Sequence, residues 1–148
     1  MTLEEKMTQP PHRERVVTEC CTLIDEEVKS KSGLSGIAVK GAYAVVKAVK
    51  PRFVTEVVNS MLDDWVKKLQ PYYDDWQKAG SSPALPEYLA GRSEEVSESL
   101  LQVTDEKAKT AKNNAVKKMY EKMRPSARKQ VGEALPRLGR LIERQMKE

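Results

Sequence analysis

The feature that most constrains the fold is an apolar segment over residues 33–49, rich in glycine and alanine and without an acidic side chain. Wound as a helix, this segment gathers its polar side chains on one narrow face, because residues three, four and seven apart lie on the same side. That face carries Lys40, Tyr43, Lys47 and Lys50. A helix that is apolar around most of its circumference is typical of the inside of a bundle. The segment therefore predicts a central, buried helix over 34–49.

The rest of the chain also predicts helices, and no segment shows the alternating pattern of a strand. Apolar residues recur at helical spacing in a helix from 12 to 31 and, most clearly, in one from 51 to 70. After a short turn near 86–90, a helix is expected from 93 to 123, followed by a last one that Pro136 kinks or splits. Pro71 and Pro125 are expected to end helices, because proline lacks the backbone N–H donor. We therefore predict an all-α fold, a single compact bundle of about five or six helices.

The length of 148 residues is that of one domain. We expect a flexible N-terminal arm over 1–11 and a helical bundle domain over 12–148. No apolar run approaches the about 20 residues of a membrane span, and the N-terminus has no apolar signal segment. Two adjacent cysteines, Cys20 and Cys21, provide no disulfide framework. These features predict a cytoplasmic protein without a transmembrane segment.

Charge is distributed unevenly along the chain. Residues 107–148 carry 13 basic and 4 acidic side chains, whereas residues 51–106 carry 5 basic and 11 acidic ones. The basic third either meets nucleic acid, an anionic membrane or an acidic protein, or is balanced by the acidic middle of its own fold. Its candidate patch comprises Lys117, Lys118, Lys122, Arg124, Arg128 and Lys129. Because the lysines point in several directions around a helix and no recognition motif accompanies them, sequence-specific binding of nucleic acid is not expected.

Catalytic chemistry finds little support in the sequence. The single histidine, His12, stands at the start of a helix that holds it away from Cys21, so no nucleophile and base are paired. One histidine and two neighbouring cysteines are too few for a zinc site. The paired carboxylates lack the spacing of a calcium loop. We therefore expect a protein without enzymatic activity, cofactor or metal.

Two segments are candidates for binding. The first is a turn whose glycines can expose backbone amides to an anion at a helix N-terminus, although an ordinary interhelical turn explains it as well. It comprises Lys31, Ser32, Gly33, Ser35 and Gly36. The second is an aromatic cluster that would line an apolar ligand pocket, form a protein contact, or build a local core. It comprises Trp65, Tyr72, Tyr73 and Trp76.

Several short segments occur in an order that resembles a family of uncharacterised bacterial all-helical proteins. They lie at residues 31–40, 49–54, 69–73, 100–106, 120–125 and 134–139. The resemblance extends from about residue 16 onward. It implies a compact helical domain of bacterial, cytoplasmic origin, and it brings no activity or catalytic residue with it.

These observations favour a non-enzymatic helical interaction protein whose partner is a protein, with a second copy of the chain included. The first alternative is a carrier of an apolar or amphiphilic ligand between its helices. The second is a protein that docks on an anionic membrane or nucleic acid through its basic C-terminal third. A closed core would favour the interaction protein, whereas a large apolar pocket would favour the carrier.

Overall fold

The computed structural model describes residues 2–50 and 52–147, and these residues form seven helices and no strand. The helices are α1 (Leu3–Met7), α2 (His12–Ser30), α3 (Gly33–Lys47), α4 (Phe53–Lys78), α5 (Leu85–Ala90), α6 (Ser93–Lys109) and α7 (Asn114–Lys147). The prediction of an all-α fold is confirmed. The five longer helices correspond to the expected bundle, α5 corresponds to the short helical turn expected near 86–90, and α1 is an additional helix.

The hydrophobic core is built from side chains of α1, α2, α4, α5, α6 and the C-terminal half of α7. Its most completely buried apolar side chains are Leu3, Val16, Val66, Leu85, Leu89, Val96, Leu135, Leu141 and Ile142. Gly139 of α7 lies against the backbone of Pro86 in α5, where a Cβ atom would be only 2.6 Å from the Pro86 Cα atom. Gly139 thus allows α7 to pack closely against α5.

The segment expected to be a flexible arm contains helix α1. The Thr2 hydroxyl accepts a hydrogen bond from the Glu5 backbone N–H, and the Glu5 carboxylate accepts one from the Thr2 N–H. This reciprocal capping satisfies two amides at the start of the helix. Leu3 and Met7 on its inner side are buried in the core, and the Leu3 N–H donates to Gln70 Oε1 at 2.8 Å. Residues 2–8 are therefore part of the packed domain.

The expected helix ends at Pro71 and Pro125 are wrong, and the helix expected from 93 to 123 is interrupted. Helix α4 continues through Pro71, and α7 continues through both Pro125 and Pro136. Tertiary contacts on both sides offset the hydrogen bond that each proline removes. Leu69 and Tyr73 are buried on either side of Pro71, and two arginines that flank Pro125 bind one carboxylate of α6.

The actual break in this part of the chain lies at residues 110–113, between α6 and α7. The Asn113 side chain accepts a hydrogen bond from the Val116 N–H at 3.1 Å and so caps the start of α7. Asparagine is among the preferred residues for this role. In the sequence, the pair Asn113-Asn114 indicates this helix boundary.

Helix α3 has about the predicted extent, but the prediction that it is the buried centre of the bundle is wrong. None of the described side chains between residues 33 and 50 belongs to the core, and only Gly36 is fully buried. Ile37 is 71% exposed and Val45 is 40% exposed. The most apolar helix of the chain therefore lies at the surface. Pro51, which was expected to open α4, lies outside the described residues.

Candidate interaction face between helices α3 and α7

Helix α3 is attached to the domain by one side only. Val39, Tyr43 and Val46 are half-buried on that side, where α3 packs against α2, α4 and α7. The Tyr43 hydroxyl donates a hydrogen bond to Asp25 Oδ1 of α2 at 3.4 Å. The Lys47 ammonium lies 5.1 Å from the centre of the Tyr43 ring, within the range of a cation–π contact. Tyr43 therefore orients the helix on the domain.

The opposite side of α3 is apolar and faces solvent. In addition to Ile37 and Val45, its exposed residues are Ala38, Gly41, Ala44 and Ala48. At about 100° per residue these positions form one continuous strip along the helix. Ile37 and Val45 are the exposed large hydrophobic side chains among the described residues, and both lie on this strip. The exposed apolar surface is thus concentrated on a single helix.

The strip continues into a groove between α3 and the first half of α7. The groove has a volume of about 910 Å³ and is open to solvent. Small residues of α3 form one wall, and the methionines Met119 and Met123 stand on the other, one helical turn apart. Lys118, Glu121 and Lys122 of α7 form the outer edge. Strip and groove together are called the α3–α7 face below.

Lysines border this face on both sides. Lys40 lies on the α3 side, and Lys118 and Lys122 lie on the α7 side, whereas the Lys47 ammonium is turned toward the Tyr43 ring. Among the described residues, no carboxylate forms an ion pair with Lys40, Lys118 or Lys122. Within α3 there is no acidic residue to offset this charge. The face is therefore apolar along its length and positive at its margins.

Further along α7, the arginines of the predicted basic patch are already engaged inside the fold. Arg124 donates to Asp105 Oδ1 at 2.8 Å and to Glu98 Oε1 at 3.0 Å, both on α6. Arg128 binds the other oxygen of Glu98 at 2.8 Å. The hydrogen bond from Arg124 lowers the pKa of Asp105, and those from Arg128 and then Arg124 lower the pKa of Glu98. For these two arginines, the acidic middle of the chain supplies the balancing charge.

Tyr120 completes this network, and the sequence did not single it out for that role. Its hydroxyl donates to Asp105 and lies 2.8 Å from the Thr104 hydroxyl. Burial, followed by the hydrogen bond to Asp105, raises the pKa of Tyr120 to about 12. Tyr120 and Arg124 are four residues apart, so both reach the same carboxylate from one face of α7. This network holds the first half of α7 on α6 and so sets the position of the groove.

A sequence model of a family of unknown function, DUF6918, matches residues 3–146. The chain belongs to this family. Its resemblance to an uncharacterised helical family is thereby confirmed, and the match covers α1 as well as the bundle. No curated protein and no solved structure matches the chain.

In this DUF6918 member, carboxylates of α2 and α7 already bind the lysine of the predicted anion-binding turn. Lys31 forms ion pairs with Glu133 at 2.7 Å and with Glu27 at 3.5 Å. The hydrogen bond from Lys31 lowers the pKa of Glu133. Gly36 packs against the Lys31 backbone, and Gly33 has a φ of +69°, which suits glycine. An anion here would compete with two carboxylates for one ammonium.

The remaining residues of this turn add little to a binding site. Ser32 precedes α3 without forming a side-chain cap, and the Ser35 side chain lies outside the described part of the structure. The turn brings α2, α3 and α7 together through Lys31. Its geometry is that of an interhelical connection.

Of the four aromatic residues, Tyr73 belongs to the core and the other three pack against it. Tyr73 is buried, and its ring centre lies 5.5 Å from that of Trp76. The Trp76 indole N–H donates to the Pro83 carbonyl at 2.7 Å. Trp65 and Tyr72 face α6, where the Trp65 N–H donates to the Leu100 carbonyl. Each indole N–H is thus satisfied within the fold, and little aromatic surface is left for a ligand.

The thiols and the potential metal ligands of the described residues do not form a reactive site together. Burial, followed by the charges of Cys21 and Glu19, raises the pKa of the Cys20 thiol to about 12. Such a thiol carries little thiolate at neutral pH. Among the described residues, no three His, Cys, Asp or Glu side chains are placed to hold a metal ion, and no helix is long and apolar enough to cross a membrane.

Proposed function

We propose that this protein is a non-enzymatic helical interaction protein that binds a partner protein through its α3–α7 face. The observation that supports the proposal is the exposure of the most apolar helix of the chain, with Ile37 71% exposed. Concentrated apolar surface bordered by polar residues is typical of interaction sites. The family resemblance supports a bacterial, cytoplasmic setting as part of the same proposal.

The packing of α3 supports this assignment over a structural role for the helix. A helix that served only to stabilise the domain would turn its apolar side inward, because burial removes apolar surface from water. Here the half-buried side includes Tyr43, which bonds to Asp25, whereas Ile37 and Val45 point to solvent. Burial of the outer strip is therefore left to a partner.

The two alternatives are weaker. The α3–α7 groove is apolar, as a carrier would require, but it is open to solvent along its length. A ligand pocket normally encloses most of the ligand surface. Docking through the basic third loses two of its six predicted residues, since Arg124 and Arg128 are bound to Glu98. Of the other four, Lys118 and Lys122 lie at the edge of the α3–α7 face.

Site-specific photo-crosslinking in bacterial cells tests the proposal. A photoreactive phenylalanine analogue is placed at Ala44, which is exposed on α3, and in a matched protein at Gln77, which is exposed on α4. We expect an adduct of discrete mass from position 44 only, and its loss in the Ile37→Glu, Val45→Glu variant. An adduct of twice the chain mass would identify a second copy as partner. No adduct at position 44, or the same adduct from both positions, would overturn the proposal.

A further inference from the structure

We infer that the partner presents an amphipathic helix whose apolar side is flanked by acidic residues, and that this helix lies in the α3–α7 groove; this inference rests on the proposed function. The shape of the groove is the first argument. Its walls are two helices, so the space between them is elongated. Ala38, Ala42 and Val45 on one wall span about two helical turns at 1.5 Å per residue. A partner helix matches such a groove with anchors three, four and seven residues apart.

The side chains of the groove leave room for large anchors. An added Cβ atom at Gly41 would have no heavy atom within 4 Å, so there is open space beside this part of the α3 wall. On the opposite wall, Met119 and Met123 have unbranched, flexible side chains that adapt to the shape of a ligand. Small residues facing methionines therefore favour an occupant that brings its own bulky apolar side chains.

Charge determines which amphipathic helix fits. Lys40 borders the face on one side, Lys118 and Lys122 border it on the other, and among the described residues Glu121 is the one carboxylate lining the groove. A helix with Asp or Glu beside its apolar positions would meet positive charge along both edges. Such complementarity accelerates encounter and excludes partners with flanking cations.

The same charges argue against two other occupants. In a symmetric pair of chains the α3 helices would face each other, and α3 offers lysines but no acidic residue to meet them. An anionic bilayer has the required charge, but helices that bind bilayers insert bulky anchors such as tryptophan, phenylalanine or leucine. Helix α3 has no tryptophan or phenylalanine, its tyrosine is turned toward Asp25, and the described residues of its exposed strip are isoleucine, valine, alanine and glycine. A concave groove also suits a helix better than it suits a flat surface.

A displayed library of helical peptides tests the inference directly. Each peptide is about 18 residues long, with leucine or phenylalanine fixed at helical spacing and the flanking positions randomised. We expect selection on the intact protein to enrich Asp and Glu at the flanking positions. Selection on the Lys118→Glu, Lys122→Glu variant is expected to enrich Lys and Arg instead. The control is Lys67→Glu, Lys78→Glu, which makes the same change in net charge on exposed positions of α4.

One selected peptide is then measured by fluorescence anisotropy. Its binding should weaken at least about tenfold in the Lys118→Glu, Lys122→Glu variant, and should weaken as salt rises. Gly41→Leu should block the groove and abolish binding while the thermal unfolding midpoint is retained, since Gly41 faces open space. The control variant should bind as the parent protein does.

The outcomes separate this inference from the proposed function. If no peptide is enriched, or if basic or uncharged flanks are enriched, the acidic-helix partner is refuted. Binding of the protein to phosphatidylglycerol vesicles without enrichment of any peptide would assign the face to a bilayer. Concentration-dependent dimerisation that Gly41→Leu abolishes would assign it to a second copy. In each case the crosslink from position 44 shows separately whether α3 contacts a protein at all.

Discussion

Two glycines in helices provide a sharp test of how α3 and α7 are packed. Gly41 lies on the exposed strip of α3, and a Cβ atom there would meet no heavy atom within 4 Å. Gly139 lies on the buried side of α7, where a Cβ atom would be 2.6 Å from the Pro86 Cα atom and 2.8 Å from its nitrogen. The same substitution, glycine to alanine, should therefore change the free energy of unfolding in opposite directions at the two sites.

The magnitudes follow from two effects. Alanine in a helix interior is favoured over glycine by about 0.5–1 kcal/mol, and Gly41→Ala should show this gain in full. Gly139→Ala gains the same amount but forces α5 and α7 apart, because the atoms it meets are backbone atoms that cannot rotate away. Overpacking of this kind costs about 1–3 kcal/mol, so a net loss of about 1–2 kcal/mol is expected. The two variants should thus differ by about 2 kcal/mol.

Urea unfolding followed by circular dichroism measures both changes. The midpoint should rise for Gly41→Ala and fall for Gly139→Ala, with the slope unchanged in both. A stable Gly139→Ala variant would show that α5 and α7 are not in close contact. Destabilisation by Gly41→Ala would show that Gly41 is packed and that α3 is the buried helix expected from its composition. The reasoning about the α3–α7 face would then be refuted.

Three further predictions concern the core, the arginine network and the buried thiol. Leu3→Ala should destabilise the protein by about 2–4 kcal/mol, because the side chain is fully buried, whereas Ile37→Ala should change stability by less than about 0.5 kcal/mol, as chemical denaturation would reveal. Arg124→Gln should be destabilising at pH 7. Arg124 lowers the pKa of Asp105, so this contact stabilises the fold in full at any pH above the unfolded pKa of Asp, about 4. The stabilisation is lost as the pH falls through the lowered pKa of Asp105. The difference in melting temperature between the two proteins should therefore be smaller at about pH 3 than at pH 7; a constant difference would contradict this. Cys20, with its pKa raised to about 12, should react with iodoacetamide at pH 8 only after unfolding, as peptide mass mapping would show.

The sequence predicted the parts of the fold that depend on local patterns. The helix expected from 12 to 31 is observed at His12–Ser30, because its apolar residues recur at helical spacing and Gly33 follows its end. The helix ends expected at Pro71 and Pro125 were wrong because they depend on contacts between residues that are distant in the sequence. A proline weakens a helix locally, but distant contacts decide whether the chain actually turns there. The contacts of Arg124 and Arg128 with Glu98 come from another helix, and no local pattern announces them.

The candidate site was only partly accessible to prediction. The apolar segment around α3 was recognised as the most informative part of the chain, but its position was assigned to the interior. An apolar helix has the same composition whether it is covered by its own domain or by a partner. The positions of Met119 and Met123 relative to Gly41 depend on how α7 crosses α3, which sequence spacing does not specify. Only the folded chain shows that the outer side of α3 faces solvent.

The basic third of the chain shows why total charge was a poor guide to binding. Arginine offers a planar fork that suits paired contacts with carboxylates, and Arg124 and Arg128 use it to bind α6. Lysine is a flexible, strongly hydrated point charge that readily stays in solvent. Lys118 and Lys122, which form no ion pair among the described residues, are left at the edge of an apolar groove. In the first half of α7, Arg124 and Arg128 therefore hold the helix on α6, and Lys118 and Lys122 are the cations that the proposed anionic partner would meet.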